Sequence, residues 1–561
     1  MKKKLSGQYN LWCEKAVRDP DLKAELASMA GNETLIEEAF YKDLEFGTAG
    51  LRGILGAGTN RMNVYTVARA SKAMAEYVLK FGSGERSIAV AYDSRIKSEL
   101  FAKTAAAVFA SSGVKAYLFR ELMPTPTLSY AVRALKTDAG VMVTASHNPA
   151  KYNGYKVYGP DGCQMTSKGA DFVYGVMEKT DLFEDVKWDD FDALLGAGKI
   201  EYVSDELVTA YLAEVKRQSV LPSGVLIDKN AAIVYTPLNG AGFNPVMRIL
   251  RETGFTNVTV VEAQKDPDGR FPTCPYPNPE IREAMALGIE TCRKVKADLL
   301  IATDPDSDRM SLAVRDGDDY RILTGNETGC LLLDYVASMR MQNGTLPKRP
   351  VAVKSVVTSD LATAIASSYG IEMKNVLTGF KYIGEQILLL EEAGEEERFV
   401  FGFEESCGFL SGTYCRDKDA VNAVLLAVEL FAYLKSRGSG ILEHLNELYR
   451  KFGTYATEVR AFEYEGLSGI EKMRSIMENL RSGVQKIGRR KVVRELDYLK
   501  GIDGLPKADV LKFELTGRQS VIVRPSGTEP KIKVYVTCTG AGEAEAKASV
   551  ERLFEAMRAY L

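Results

Sequence analysis

From Val64 onward, short apolar runs alternate with amphipathic stretches, and this alternation constrains the fold more than any other feature of the chain. The spacing predicts a helix over Tyr65–Lys80, a strand over Ser87–Tyr92 and a helix over Glu99–Ser112. A short strand, Val114–Phe119, and a short helix, Ser129–Leu135, follow, and then the apolar run Gly140-Val141-Met142-Val143 reads as a buried strand. Strands and helices in turn predict a layered α/β unit with a largely parallel sheet. A similar order begins again at Ala231–Tyr235, with helix Asn244–Thr253 and strands Val258–Glu262 and Asp298–Thr303. It begins a third time with helix Gly325–Met341, strands Val351–Val356 and Arg398–Phe403, and helix Lys418–Ser436. No stretch repeats in sequence, but the shared order suggests three related domains. The last segment differs. Strands Ser520–Arg524 and Lys531–Thr537 and helix Glu543–Tyr560, with an irregular middle before them, read as α+β. The polar, Gly- and Asp-rich region 181–205 reads as a boundary, and Leu5 to Phe46 as helical with breaks at Pro20 and Gly31-Asn32. The expected divisions are 1–205, 206–321, 322–452 and 453–561.

Composition narrows the function classes. Of 561 residues, 46% are hydrophobic and 26% charged, the profile of a soluble globular protein with sizeable cores. A formal net charge of −3 leaves no electrostatic footprint for nucleic acid or an anionic membrane. The eight cysteines include no Cys-x-x-Cys pair, and with only two histidines a zinc site is not indicated. Free thiols fit a reducing cytoplasm. Lys2-Lys3-Lys4 leads into Ser6-Gly7-Gln8-Tyr9-Asn10, so no signal peptide is expected, and the apolar run Val421–Leu434 is too short to span a bilayer.

Several loops carry chemistry. Thr144-Ala145-Ser146-His147-Asn148-Pro149 sits at the end of a buried strand, where α/β sheets gather their functional loops. It offers a hydroxyl, an imidazole and a carboxamide in a row, with Tyr152-Asn153-Gly154-Tyr155-Lys156 just beyond. Asp304, Asp306 and Asp308 alternate after Leu299-Leu300-Ile301, so an extended backbone points all three carboxylates one way. Three like charges need a cation, and oxygen donors suit Mg²⁺ before Ca²⁺. An EF-hand is excluded because its glycine and glutamate positions hold Arg309 and Arg315. Arg524-Pro525-Ser526-Gly527-Thr528-Glu529-Pro530-Lys531 gathers donors for a phosphate without the spacing of a P-loop. Phe46-Gly47-Thr48-Ala49-Gly50-Leu51-Arg52-Gly53 is a glycine-rich loop with one guanidinium. Gly402-Phe403-Glu404-Glu405-Ser406-Cys407-Gly408 suits vicinal sugar hydroxyls, while Thr378-Gly379-Phe380-Lys381 and Arg416-Asp417-Lys418-Asp419 add cations. Each alone is an ordinary turn. Together they specify a serine carrier, a divalent-metal site, a separate phosphate clamp and a polyol loop, the parts needed to move a phosphoryl group between two positions of a phosphorylated sugar.

Four of these motifs in this order resemble the α-D-phosphohexomutase superfamily, in its phosphoglucomutase/phosphopentomutase branch: Thr-Ala-Ser-His-Asn-Pro, Asp-Pro-Asp-Ser-Asp-Arg, Gly-Phe-Glu-Glu-Ser and Arg-Pro-Ser-Gly-Thr-Glu-Pro. The resemblance runs from about Phe46 to the C-terminus. Pro305 stands where the common metal loop of the family has Gly, which points to that branch and leaves the three aspartates intact.

The resemblance implies three related mixed or parallel-sheet α/β domains plus a C-terminal α+β phosphate-binding domain around a central cleft. It implies a phosphoserine at Ser146 and Mg²⁺ held by its phosphate with Asp304, Asp306 and Asp308. Arg309, Thr378, Glu404, Ser406 and Lys418 would contact the sugar phosphate, and Arg524, Ser526, Gly527 and Thr528 would clamp the phosphate that does not react. Arg52, His147, Lys156 and Lys381 would line the reacting end, with the proton carrier left open among the cationic and imidazole groups. The expected reaction is phosphoglucomutase turnover through a glucose 1,6-bisphosphate, with a movable fourth domain closing the cleft. Phosphopentomutase, phosphomannomutase and sugar-bisphosphate synthase are alternatives within the family. A Mg²⁺-dependent sugar phosphatase and a non-catalytic sugar-phosphate binder are alternatives outside it. The expected partners are small sugar phosphates, with no nucleic acid or membrane; oligomeric state is not readable.

Overall fold

A computed structural model describes residues 2–47, 50–222, 224–464, 466–502, 504–525 and 531–561. It contains four sheets, one per unit. The first holds β1 (Gly50–Ile54), β2 (Ser87–Tyr92), β3 (Lys115–Leu118), β4 (Ala139–Val143), β5 (Tyr152–Tyr158) and β6 (Ile200–Tyr202), in the order β1-β5-β4-β2-β3-β6. The second holds β7 (Ile233–Thr236), β8 (Val258–Val260), β9 (Leu299–Thr303), β10 (Met310–Asp316) and β11 (Asp319–Ile322), ordered β11-β10-β9-β7-β8. The third holds β12 (Val351–Ser355), β13 (Glu372–Val376), β14 (Phe399–Glu404) and β15 (Gly408–Leu410), ordered β13-β12-β14-β15.

These three sheets share one plan. A first strand lies between its two parallel partners, and the last of the parallel strands then pairs with an antiparallel strand that follows it directly in the chain. The triplets are β4-β2-β3, β9-β7-β8 and β14-β12-β13. The antiparallel followers are β5, β10 and β15. The two inner parallel strands of each sheet, β2 and β4, β7 and β9, β12 and β14, are buried on both faces, which is why they read as near-continuous apolar runs. In β2, Ile88 and Val90 pack with helices Val64–Phe81 and Ser98–Ser111, while Ala89 and Ala91 pack with helix Thr125–Leu135 on the other face. Asn63 starts Val64–Phe81 with a capping box, its Oδ1 accepting from the Tyr65 and Thr66 amides while Thr66 Oγ1 accepts from the Asn63 amide.

The fourth sheet is antiparallel: β16 (Thr454–Glu463), β17 (Lys486–Ile487), β18 (Arg490–Asp497), β19 (Leu511–Leu515), β20 (Gln519–Pro525) and β21 (Lys531–Gly540), ordered β16-β21-β20-β19-β18-β17. Helices Gly466–Arg481 and Glu543–Met557 cover one face. On the other, Ile522 and Tyr535 pack against Val356, Val357 and Leu377 of the third unit. No described helix is long and apolar enough to cross a membrane.

Several sequence expectations are corrected. The irregular middle of the last segment is a helix and three strands. The region 181–205 is more than a boundary, because Ile200–Tyr202 joins the first sheet parallel to β3. Gly50-Leu51-Arg52-Gly53 is part of strand β1, antiparallel to β5, and not a loop. Gly50 is required there, since its φ is 111° and a Cβ would lie 1.9 Å from the Tyr155 carbonyl oxygen. The N-terminal stretch forms three helices, Lys2–Lys15, Pro20–Ser28 and Glu33–Phe40, with Pro20 at the start of the second behind its Asp19 cap.

Candidate active site

The shared plan places three of the chemistry-bearing loops at one structural position, the turn from the last parallel strand into its antiparallel follower. Residues 144–151 make this turn between β4 and β5, 304–309 between β9 and β10, and 405–407 between β14 and β15. Each turn contains one non-glycine residue in the left-handed region: Ser146 at φ 52°, Ser307 at 50° and Cys407 at 62°. Such conformations persist only where the surroundings enforce them.

For Ser146 the enforcement is visible. Its amide donates to Thr144 Oγ1 at 2.8 Å, and Thr144 Oγ1 donates to Asp93 Oδ2 at 2.6 Å. Its carbonyl accepts from Arg95 Nε at 3.2 Å, and the same guanidinium donates to the carbonyls of Asn148, Pro149 and Tyr152. The Ser146 hydroxyl is thereby aimed at the metal loop, 2.8 Å from Asp304 Oδ2 and 3.3 Å from His147 Nδ1. Burial, then the charges of Arg309 and Arg52, depress His147 to about 2, so its imidazole is neutral. Tyr276 meets the ring edge-on at 5.9 Å between centroids.

Asp304, Asp306 and Asp308 converge, each offering an oxygen within 4.8 Å of the others, and all three are buried. Asp304 Oδ1 accepts the amides of Asp308 and Arg309, which closes the loop on itself. Asp306 Oδ2 accepts from Lys156 Nζ at 2.7 Å and from Thr125 Oγ1 at 2.9 Å. Asp308 Oδ2 faces Lys156 Nζ at 3.1 Å and Lys418 Nζ at 2.8 Å. The second oxygens, Asp306 Oδ1 and Asp308 Oδ1, are buried without a hydrogen-bond partner among the described residues. Burial, reinforced by the charges of Asp306 and Asp308, holds the Asp304 carboxyl well above the usual range. Orphaned carboxylate oxygens beside an over-crowded third carboxylate are the donor set of a hard divalent cation, so the residues fit Mg²⁺.

Lys418 precedes the helix Ala420–Lys435, which Asp419 caps, and its ammonium also lies 3.2 Å from Asp417 Oδ1. Burial opposes that charge, but Asp308 and Asp417 outweigh it and hold the Lys418 pKa high. Asp417 is fixed in turn by Tyr158 Oη at 2.8 Å and Gln164 Nε2 at 3.2 Å.

The loops and the fourth sheet enclose a cavity of about 550 Å³, lined from the first unit by His147, from the second by Glu280 and Arg309, from the third by Thr378, Glu405 and Ser406, and from the fourth by Arg524 and Tyr535. Arg309 is stretched between Glu280 Oε1 at 3.5 Å and Asp308 Oδ1 at 3.7 Å. Glu405 Oε2 accepts from Ser355 and Thr358, whereas Glu404 Oε1 accepts from the Gly379 amide at 2.7 Å. Burial, then the charge of Glu405, pushes Glu404 up to about 7. Arg52 reaches from β1 to Asn148 Oδ1 at 3.4 Å. Lys381 is not brought to this cavity; it lines another, of about 490 Å³, with Cys163, Lys168 and Glu385. Ser526, Gly527 and Thr528, expected to clamp a phosphate, lie outside the described residues, as do Thr48 and Ala49. Sequence reasoning missed Asp93, Arg95, Tyr276, Glu280 and the anchoring of Asp417. The signal for the first two was present in Asp93-Ser94-Arg95, a charged run directly after a buried strand at the same sheet edge as Ser146.

A four-unit α/β chain that sets a serine hydroxyl against a three-carboxylate cluster, with His147 and Arg309 of those two loops and Glu405 of a third lining one cavity, has the parts of a phosphoryl-transferring sugar-phosphate enzyme. Family models match all four units: phosphoglucomutase/phosphomannomutase alpha/beta/alpha domain I over residues 43–183, domain II over 209–317, domain III over 324–452 and the C-terminal domain over 473–557. The phosphoglucomutase of Staphylococcus saprophyticus is 36% identical over 521 residues, covering 90% of this chain and 92% of that protein. The same architecture occurs in the open form of parafusin, a phosphoglucomutase from Paramecium (TM-score 0.67, 17% identity, 93% of this chain and 95% of that one). It occurs also in a phosphoglucomutase/phosphomannomutase family protein from Burkholderia thailandensis (TM-score 0.67, 18% identity, 91% and 96%). The chain belongs to the α-D-phosphohexomutase superfamily and is an isomerase that works as an intramolecular phosphotransferase. The family is Mg-dependent, in keeping with the aspartate cluster.

Proposed function

We propose that this enzyme interconverts glucose 1-phosphate and glucose 6-phosphate through a phosphorylated Ser146 and a glucose 1,6-bisphosphate intermediate. The observation that carries the reading is the Ser146 hydroxyl, held in a left-handed turn and aimed at Asp304 on the rim of the three-carboxylate cluster. A protein that only binds sugar phosphates has no need of a hydroxyl so placed. Glucose is favoured over mannose, pentose or N-acetylglucosamine by staphylococcal relatives named phosphoglucomutase at about 35% identity.

In this reading the sugar hydroxyl oxygen attacks the phosphorus of phospho-Ser146 and the bond to Oγ breaks. The hydroxyl proton passes to a base at the reacting end, for which the neutral imidazole of His147 is in place beside Oγ. The bisphosphate turns in the cavity, and Ser146 Oγ attacks its other phosphorus as the bond from that phosphorus to the sugar oxygen breaks. The sugar oxygen takes back the proton held by the base, and the product leaves with the phosphoserine restored. Mg²⁺ held by Asp304, Asp306 and Asp308 with the seryl phosphate supplies neutralisation of phosphoryl charge. Lys156 and Lys418 hold Asp306 and Asp308 with their free oxygens presented. Arg309, Thr378, Glu404 and Ser406 grip the sugar phosphate, and Arg524 with Ser526, Gly527 and Thr528 holds the phosphate that is not moving. Arg52 completes the reacting end when the cavity closes over substrate. The eight cysteines are all free thiols and the proposed place of work is the cytoplasm.

The test is a turnover panel with glucose, mannose, ribose and N-acetylglucosamine 1-phosphates that reads the isomerised sugar phosphate and free phosphate, together with intact-mass analysis. The expected result is preference for glucose, little free phosphate, and one added phosphate on the wild type that is absent from Ser146→Ala. A fully active Ser146→Ala protein would end the carrier assignment, and predominant free phosphate would favour a phosphatase.

A further inference from the structure

After Lys265 the chain leaves the second sheet and crosses to the first unit in a segment, 266–281, that contains five prolines. Its start is tied down by Asn239, whose side-chain amide donates to the Asp266 carbonyl at 2.8 Å and whose carbonyl accepts the Asp268 amide at 3.1 Å. Gly269 then forms a β-bridge with Arg95. The approach is so close that a Cβ on Gly269 would lie 2.3 Å from the Ile96 nitrogen. Two residues later Phe271 adopts φ 47°, an unfavourable conformation for a bulky side chain, and buries its ring to 1% exposure. That ring lies against the Arg95 guanidinium, with 5.1 Å from Cζ to the ring centroid.

The edge of the same guanidinium is committed to the Ser146 loop. It donates to the carbonyls of Ser146, Asn148, Pro149 and Tyr152, and Asp93 balances its charge at 3.5 Å. Five N–H donors on one planar group can hold four carbonyls in a fixed pattern only while water is kept from competing for them. The Phe271 ring excludes water from the face of the group, and the strained backbone of Phe271 is held because Gly269 is locked against Arg95.

We infer that Phe271 is a positioning residue for the phosphoryl-carrying loop. It acts through Arg95, so that a loop of the metal-binding unit fixes the left-handed turn that aims Ser146. The inference rests on the proposed role of Ser146 for its catalytic consequence, but the grip on the loop is measurable without turnover. The experiment compares wild type, Phe271→Ala and Phe271→Leu by hydrogen exchange and by steady-state kinetics with glucose 1-phosphate. The amides of Ser146, Asn148 and Tyr152 are hydrogen-bonded within the turn and report on it.

For Phe271→Ala, exchange at these amides is expected to rise about 10-fold while strand 299–303 of the second sheet stays protected. kcat is expected to fall about 10- to 100-fold with KM within about 3-fold, because a misaimed carrier loses rate and not substrate affinity. Phe271→Leu, which keeps an apolar cover and serves if the alanine variant does not fold, is expected to move both readouts in the same direction by a smaller amount. Unchanged exchange in the turn of a folded variant would overturn the inference. So would an equal rise across 299–303, which marks general loosening of the second unit. A loosened turn with full turnover would uphold the grip of Phe271 and instead end the carrier role of Ser146.

Discussion

Lys156→Met isolates the electrostatics of the candidate metal loop from its chemistry. The Lys156 ammonium lies 2.7 Å from Asp306 and 3.1 Å from Asp308, and the two carboxylates have no solvent exposure. At an effective dielectric constant of about 20, the contact with Asp306 alone is a gross attraction of about 6 kcal/mol. Desolvation of the ammonium offsets part of that. Removing one partner of a buried pair costs about 3–5 kcal/mol, because the other charge is left behind uncompensated. Asp308 keeps Lys418 at 2.8 Å, so the loss falls mainly on Asp306. For a unit of 150–250 residues this corresponds to a fall in Tm of about 6–20 °C. The assay is thermal unfolding of both proteins in chelator and in a magnesium series. A cation at 100 times its Kd stabilises a folded protein by about 2.7 kcal/mol, and it gains more where Asp306 lacks its ammonium. The gap between the two proteins is therefore expected to narrow as magnesium rises. A gap below about 2 °C in chelator, or one that magnesium leaves untouched, would refute the account.

Two further substitutions test other parts of the molecule. Glu429, 2% exposed on the central helix Ala420–Lys435, is pushed up to about 7 by burial, against hydrogen bonds that include one from Tyr335. A carboxyl raised in the folded state favours folding fully below its ordinary 4.5 and loses that contribution as pH climbs through about 7, so Glu429→Gln should gain on the wild type by about 2–3 kcal/mol between pH 5 and pH 8. Chemical denaturation at both pH values checks this, and a difference that stays constant would show that folding does not raise the Glu429 pKa. Arg309→Lys keeps a charge in the cavity but loses the planar fork, so KM for the sugar phosphate is expected to rise at least about 10-fold in a steady-state assay; an unchanged KM would remove Arg309 from the substrate contacts.

How much of this was legible in the sequence depended on burial. The strand Ser87–Tyr92 has every residue buried, and its continuous apolar run defines it to the residue. The helix Val64–Phe81 was found within a residue at each end, because Asn63 caps it and Gly82 follows it. The strand Arg490–Asp497 was lost because it is half exposed and carries Arg490, Lys491, Arg494 and Glu495, which mask its alternation. Tyr152–Lys156 is assigned no strand in the sequence reading, although Tyr152–Tyr158 is the antiparallel partner of both β1 and β4. That error mattered, because it is this pairing that carries Lys156 under the metal loop. Ser146 and the three aspartates were legible because their chemistry is packed into a few consecutive residues. Arg95 left only the weak trace of a charged run after a buried strand, and Phe271 left none, because a ring that covers a guanidinium makes no local pattern.

The buried charges explain why the carrier and the metal loop belong together. Among the described residues, Asp306, Asp308 and Asp417 share two ammonium groups, Lys156 and Lys418, across contacts of 2.7–3.2 Å, Asp308 also faces the Arg309 guanidinium at 3.7 Å, and Asp304 has no ion pair. With every group ionised, four carboxylates against two ammonium groups and one guanidinium leave a residue of −1 in a region shut off from water. Burial, reinforced by the charges of Asp306 and Asp308, is the reason Asp304 is pushed far above the ordinary carboxylate range. One divalent cation would more than offset that excess, and the orphaned oxygens of Asp306 and Asp308 are where it would find ligands. In the proposed mechanism, a phosphate on Ser146 adds a dianion that the cluster itself does not balance. Its compensation has to come from the cavity side, where Arg309 and Arg524 stand on different sheets. In that mechanism a phosphoryl group leaving Ser146 for a sugar stays within reach of these guanidinium groups, with little change in the charge of the enclosed site. That is the electrostatic condition for transfer in both directions, and it requires the fourth sheet to be in place, because Arg524 is on β20.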